Sequence, residues 1–229
     1  MKQTLKTLIR NVKSIKGNSL AEFATTTALM ATLAATAAPK LSEMSEGTKA
    51  EKSRNEIDKL IKQAGSYYQD AADDEGRGRF PGQSRFNVSV GGTGGTEYTN
   101  ANASNSGTAA AHTASDNHTA SILEDLSIVG DNGWEDYNET HTNGWVSVFG
   151  TTNADAMKPS GAVGITDNAA GASDWKNLMG DETLKSRFQD GHYVYTVVAG
   201  GGSGKSVYPP VLYIGDIENM TDFNSVLEP

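Results

Sequence analysis

A run of 21 residues, 18–38, consists mainly of Ala, Thr, Leu, Met and Phe and contains one charged residue, Glu22. As an α-helix this run would be about 30 Å long, which is the thickness of the hydrocarbon core of a bilayer. An unpaired carboxylate in hydrocarbon is among the most costly groups that a chain can bury. The run therefore predicts a helix that can enter a membrane, and Glu22 requires an explanation.

The charges around this run are unevenly distributed. Five Lys and Arg residues and no acid precede Gly17, whereas the rest of the chain has 14 basic and 28 acidic residues, a net charge of −14. A basic flank followed by an apolar segment is the order of an export signal. The acidic body argues against a nucleic-acid partner, which needs clustered Lys and Arg. The absence of Cys excludes disulfides and thiolate chemistry.

The apolar run is rich in small side chains. Ala and Thr fill most positions, and the large apolar residues are Leu20, Phe23, Leu29, Met30 and Leu33. Its insertion energy should therefore be marginal. We expect a segment that enters a bilayer and can also leave it.

Three interpretations of this segment compete. An ordinary signal peptide would be cleaved after a small-x-small site, which Ala35-Thr36-Ala37 supplies, and would release a soluble binding or adhesive domain. A permanent single-span anchor is the second interpretation. Glu22 counts against both, because the apolar core of either kind of segment rarely tolerates a carboxylate.

The third interpretation rests on the spacing of Gly17, Glu22 and Pro39. If Gly17 ends a leader, Asn18 is the first mature residue, Glu22 the fifth and Pro39 the twenty-second. This register resembles the N-terminus of the type IV pilin superfamily, which includes type IV pilins and type II secretion pseudopilins. The sequence departs from the family at Asn18, where an apolar residue is usual, and in its Ala and Thr content. Phe23 directly after Glu22 is similar to the Glu-aromatic pair of the tight-adherence pilins.

The resemblance implies a role for each of these residues. Prepilin peptidase would cut after Gly17 and expose the amine of Asn18, a position that the family methylates. Glu22, followed by Phe23, would pair with the N-terminal amine of a neighbouring subunit during assembly, since an ion pair in low dielectric is favourable only when both charges meet. Pro39 would kink or loosen the helix, because it lacks an N–H and clashes with the preceding turn.

The resemblance also implies a function and partners. The protein would be a structural subunit of a type IV pilus-like filament, with a secretion pseudopilin as the alternative, and not an enzyme. Its partners would be other copies of itself, prepilin peptidase, and an inner-membrane assembly platform with its ATPase. It would lie in the inner membrane with its N-terminus in the cytoplasm before assembly, and in an extracellular filament at the cell surface afterwards.

The expected fold is α+β: a long N-terminal helix packed on a small antiparallel β-sheet head with long loops. The expected segments are a leader at 1–17, an apolar helix at 18–39, an amphipathic helix at 40–70, where apolar residues recur every three or four positions, and a β-rich head at 71–229. Gly76, Gly78 and Pro81 should end the long helix. A shorter helix is expected at Ser173–Phe188, and the candidate strands are 85–90, 144–149, 192–199 and 211–216.

The stretch "AGGGSGKS", Ala199–Ser206, matches a relaxed phosphate-loop pattern that includes Lys205. A phosphate loop must open directly into a helix, so that its N–H groups and the helix dipole face the phosphates. Pro209 and Pro210 would break such a helix after three residues. A Gly/Ser hairpin loop is therefore favoured over a nucleotide-hydrolysing site at Lys205.

The acidic stretch Asp131–Thr140 offers several oxygen ligands, and Asp167, Asp181 or Asp222 could add to a calcium site. Some pseudopilins bind calcium in their C-terminal loops. The stretch lacks the alternating ligands and closing Glu of an EF-hand, so an acidic solvated turn is favoured. The four His residues are scattered without a ligand spacing. The sequence predicts no catalytic residue, no metal site and no cofactor, with calcium as the alternative.

Overall fold

The structure is a computed structural model that describes residues 2–91, 122–126, 128, 145–151, 153, 165, 168–188, 191–202, 204 and 206–229, with only the backbone at 2–18. The described chain forms two helices and four strands, and a single helical turn lies at 122–125. By contacts between residues, the chain divides into two compact units, Met1–Thr48 and Lys49–Pro229.

Helix α1 spans Lys2–Glu75 and includes Pro39. Its last 27 residues, 49–75, belong to the second unit, where Ile57, Leu60 and Ala64 are buried. These residues recur at intervals of three and four and so form one apolar face, as the sequence pattern predicts. The helix ends at Gly76, whose φ of +76° lies in the left-handed region that favours glycine. The helix therefore stops at Gly76, one of the residues predicted to end it, and its last residue lies five residues beyond the predicted bound at residue 70.

The strands form one antiparallel sheet in the order β1-β2-β3-β4, where β1 is Val146–Ser147, β2 is Tyr193–Val198, β3 is Val211–Asp216 and β4 is Asn224–Leu227. Strand β2 pairs with β3 over all six residues, from Tyr193 opposite Asp216 to Val198 opposite Val211. All six residues of β2 are buried. Together with α1, this sheet confirms the predicted α+β fold class.

Both faces of the sheet are buried because side chains alternate along each strand. One face packs against α1 and the second helix, α2 at Ala169–Leu178, in a core that includes Leu60, Phe80, Trp175, Tyr195 and Ile214. The other face has its own core, which includes Ile122, Trp145, Val194, Tyr213 and Met220. The sequence predicted the first core from the helix stripe, and the second core was not anticipated.

The helix predicted at Ser173–Phe188 is wrong at both ends, since α2 begins at Ala169 and ends at Leu178. Asn168 caps its start, because the side-chain oxygen accepts a hydrogen bond from the Gly171 N–H at 3.1 Å. Gly180 adopts a φ of +66°, which a continuing helix does not allow. Local capping thus sets both ends.

The strand predicted at 85–90 is also wrong, because only Val90 bridges to the sheet, opposite Val197. The buried Gln83 side chain organises the preceding residues instead: it accepts from the Phe80 N–H at 2.7 Å and donates to the Val88 carbonyl at 2.5 Å. A looped backbone around one amide replaces the extended strand. Of the strand predicted at 144–149, only the two residues of β1 are extended and paired. Strand β4 was not predicted.

Leu60→Ala tests how far stability depends on the contact between α1 and the sheet. Leu60 is fully buried in the core, so its truncation should lower the free energy of unfolding by about 2–5 kcal/mol. Urea titration of the full chain, followed by tryptophan fluorescence, measures this change, since Trp145 and Trp175 are both buried. Val207→Ala is the control, because Val207 is exposed and should change stability by less than about 0.5 kcal/mol.

Candidate functional site

The first unit presents an apolar helix surface that nothing in the described chain covers. From Leu20 to Met44 the seven large apolar side chains are 65–72 % exposed, and the apolar window of the helix is 0 % buried. At about 100° per residue, these seven side chains fall within one half of the helix circumference, and the opposite half carries mainly Ala and Thr. By length and composition, this helix could cross a membrane. One such helix near the N-terminus is also what a signal sequence would give.

Glu22 and Phe23 lie near the start of this surface, and both are exposed, with Phe23 at 70 %. Gly17 and Asn18 lie within α1, one turn earlier, where only the backbone is described. Pro39 lies 17 residues after Glu22, about 26 Å along the helix axis. The predicted processing and assembly residues therefore lie along one helix and do not converge into a pocket.

The threonine hydroxyl groups of this segment form hydrogen bonds with the backbone of the same helix. Thr25, Thr26, Thr27, Thr32 and Thr36 each donate a hydrogen bond to a carbonyl three or four residues earlier, at 2.7–3.0 Å. A hydroxyl that is bonded to its own helix leaves no unsatisfied donor when it enters an apolar environment. The Thr content, which departs from the pilin pattern, is therefore compatible with a membrane or a protein core.

The helix assignment continues through Pro39 without a break. Pro39 has no N–H, so the carbonyl of Ala35 receives no hydrogen bond from the position where a helix would normally supply one. Thr36 bonds the carbonyls of Thr32 and Leu33, one turn closer to the N-terminus. The loosening that the sequence predicts at Pro39 remains a prediction.

By composition, the segment would insert into a membrane only weakly. A large apolar residue at the centre of a membrane helix contributes about −0.5 kcal/mol, whereas an acidic residue there costs about 3 kcal/mol. The five large apolar residues between Leu20 and Leu33 therefore contribute about −2.5 kcal/mol, and Glu22 offsets part of this, because it lies near the start of the run and not at its centre. Pairing of that carboxylate with a cation would shift the balance toward burial.

In the second unit, a charged cluster ties α1 to β2. The Tyr193 hydroxyl donates to one carboxylate oxygen of Glu56 at 2.5 Å, and the Arg187 guanidinium donates to the other at 3.0 Å. Burial and the neighbouring Glu56 raise the pKa of Tyr193 above its usual value, so the hydroxyl stays protonated and remains a donor. This cluster fixes the position of α1 on the sheet.

A second buried polar cluster surrounds Asp216, at the end of β3. Its carboxylate accepts from the Ser186 hydroxyl at 2.6 Å, from the Glu218 N–H at 3.1 Å and from the backbone of His192. The His192 ring in turn bonds the Ser147 hydroxyl, Nε2 to Oγ at 2.6 Å, and both side chains are buried. The sequence did not reveal this cluster, because its members are 6 to 39 residues from their neighbours along the chain and share no regular spacing. Ser147, Ser186, His192 and Asp216 are all buried, so the cluster lies inside the head and not at its surface.

The Gly-rich stretch Ala199–Ser206 connects β2 to β3. Gly201 and Tyr208 bond each other's backbones at 3.0 and 3.1 Å, and no helix lies among the described residues that follow, up to Pro229. Lys205 lies outside the described residues, as do Asp131–Thr140 and Asp167 of the considered calcium site. Over the described part of the chain, no group of three His, Asp or Glu side chains is placed to hold a metal ion.

The fold and the exposed apolar helix define the class of the protein: an α+β protein with a long N-terminal helix that could cross a membrane and a head with a four-stranded antiparallel sheet. This architecture is compatible with a pilin-like subunit. No protein-family model, no curated protein and no solved structure matches the chain. The more specific assignment therefore depends on the N-terminal residues themselves.

Asp216 should make the stability of the head pH-dependent. Burial raises the pKa of its carboxyl to about 6 in the fold, against an ordinary value of 3.8. Between pH 4 and 6 the unfolded chain loses this proton and the folded chain keeps it, so stability should fall as pH rises. The decrease should be about 1–3 kcal/mol and be complete above pH 6.

Urea titrations at pH 4, 5, 6 and 7.5 measure this dependence, and Asp216→Asn, which cannot ionise, is the comparison. The decrease between pH 4 and 6 should be smaller in the variant by the contribution of Asp216. Parallel pH profiles for the two proteins would contradict the assignment.

Proposed function

We propose that this protein is a structural subunit of a type IV pilus-like filament, processed at its N-terminus and polymerised through its apolar helix. The observation that supports this proposal most strongly is the register of Gly17, Glu22 and Pro39 on one helix, after a basic leader. The exposed apolar side chains that follow Glu22 support it further, because such a surface must be covered by lipid or by protein.

In this proposal the apolar helix has two successive environments. It lies first in the inner membrane, where Glu22 is unpaired and the net insertion energy is small. After cleavage behind Gly17, the amine of Asn18 on one subunit supplies the missing cation for Glu22 on another, and the pair favours transfer into the filament core. The partners are prepilin peptidase, the assembly platform with its ATPase, and other copies of this chain. The head faces outward and has no catalytic role.

The mature N-terminus separates the filament from its main alternative. A filament subunit should begin at Asn18, whereas a secreted domain that is released by a signal peptidase should begin at Ala38. N-terminal sequencing of the exported protein gives this result directly. A start at Ala38 would exclude a filament, because it removes both Glu22 and most of the apolar helix.

Glu22→Ala and Glu22→Gln test the proposed docking contact. Both variants should be cleaved normally, yet surface filaments should fall by at least about tenfold, since one partner of an ion pair in low dielectric is lost. Immunoblots measure cleavage, and electron microscopy of sheared surface material measures filaments. Glu43→Ala is the matched control, because it removes an exposed carboxylate from the same helix beyond the apolar run. Normal filaments from either Glu22 variant would contradict the proposed role.

A secretion pseudopilin remains the alternative within the same superfamily. It would share the cleavage and the Glu22 dependence, but would form a short structure that supports the export of other proteins. Loss of secreted enzymes from the medium, with no surface filament, on deletion of this protein would favour that alternative.

A further inference from the structure

A groove of about 390 Å³ opens in the second unit, between the end of α1 and the connection from β2 to β3. The aromatic residues Tyr68, Phe86 and Tyr208 line it, together with three prolines, Pro209, Pro210 and Pro229. Its volume is within the range of small-ligand sites. The groove does not include the polar clusters around Glu56 and Asp216.

The groove has a defined shape because its aromatic walls are packed in place. The ring of Tyr68 lies so close to Gly78 that a Cβ on this residue would be 2.2 Å from the ring, so only glycine fits there. Tyr68 also contacts the buried Phe80, with ring centroids 5.2 Å apart. Tyr208 is bonded through its backbone to Gly201 and leaves 37 % of its surface exposed. Such walls lose little entropy when a ligand binds.

Arg77 supplies the positive charge of the groove. Its guanidinium lies over the Phe86 ring, 4.6 Å from the centroid, and no acidic partner of Arg77 lies among the described side chains. The ring occupies one face of the guanidinium, which leaves the N–H groups at its edges for a ligand. A stacked guanidinium is thereby oriented to bind a carboxylate through two parallel hydrogen bonds.

The lining also indicates what surrounds that carboxylate. Prolines 209 and 210 have no N–H, and the Tyr208 backbone is already bonded to Gly201, so an added peptide strand would find few donors. Flat aromatic faces instead suit the C–H face of a sugar ring, with hydroxyl groups directed to the rim. We propose that this groove binds a carboxylated sugar residue of an acidic polysaccharide, with Arg77 on the carboxylate and Tyr208 against the ring.

The charge of the whole protein limits the form of the ligand. The chain has a net charge of −9, and the exposed acids Asp73 and Asp74 lie in the last turn of α1. They repel a polyanion at long range, but at physiological salt this repulsion is screened beyond about 8 Å, whereas a direct guanidinium–carboxylate contact is much shorter. One or two sugar acids at a chain end or a branch should therefore bind better than the interior of a long polyanion. This inference does not depend on the filament proposal.

Digalacturonic acid and its neutral methyl ester are the probes, titrated calorimetrically at 150 mM salt into the full chain in a sugar-free nonionic detergent. The acid should bind at least about tenfold more tightly than the ester. Arg77→Gln should remove this preference, and Tyr208→Ala should weaken both ligands. Arg85→Gln is the matched control, because Arg85 is exposed on the same loop but outside the groove.

Each result bears on the proposal, provided that every variant keeps the wild-type melting temperature. Selective loss of acid binding in Arg77→Gln, with normal binding in Arg85→Gln, supports it. Absence of binding at millimolar digalacturonic acid, or equal binding by Arg77→Gln and wild type, overturns it. Equal affinity for an acidic dipeptide such as Gly-Glu would overturn the sugar assignment and indicate a peptide-carboxylate site. Filament formation by the Arg77→Gln protein would be unaffected in all cases.

Discussion

The constraint on which the rest of this molecule depends is that an apolar helix surface cannot remain in water. Seven large apolar side chains between Leu20 and Met44 are each about two-thirds exposed, and together they would be prone to aggregation in a free soluble protein. In the second unit, the apolar surfaces cover each other. Its part of α1 packs on one face of the sheet, and residues around Trp145 pack on the other. No described residue covers the apolar side chains of the first unit in this way.

The part of the fold that depends on periodicity could be predicted from sequence. The stripe from Ile57 to Ala64 indicated the packing face of α1, and the runs of β-branched and aromatic residues gave β2 and β3 to within one residue at either end. These signals are strong because burial selects side chains at a regular interval along a helix or strand. The fold class follows from them.

The parts that depend on single contacts could not be predicted. One buried amide, that of Gln83, converts the expected strand at 85–90 into a loop, and one cap, Asn168, moves the start of α2. The cluster of Ser147, Ser186, His192 and Asp216 joins distant residues with no common spacing. The same holds for the groove, since Tyr68, Arg77 and Tyr208 meet only after α1 and the β2–β3 connection are in place. In the N-terminal segment, by contrast, the candidate residues lie on a single helix, so their spacing could be recognised from the sequence alone.

The chemistry of that segment is consistent with a helix that must be stable in both lipid and protein. Its threonine hydroxyls bond their own backbone and therefore need no partner in either environment, whereas the carboxylate of Glu22 cannot be satisfied in this way. Alanine keeps the helix thin, so that another helix can approach closely. Under the proposed function, a longer and more apolar segment would hold the chain in the bilayer, and a segment without Glu22 would have no electrostatic reason to leave it. The balance between weak apolar burial and one unpaired charge is therefore the property that a change at either Leu20–Leu33 or Glu22 would disturb first.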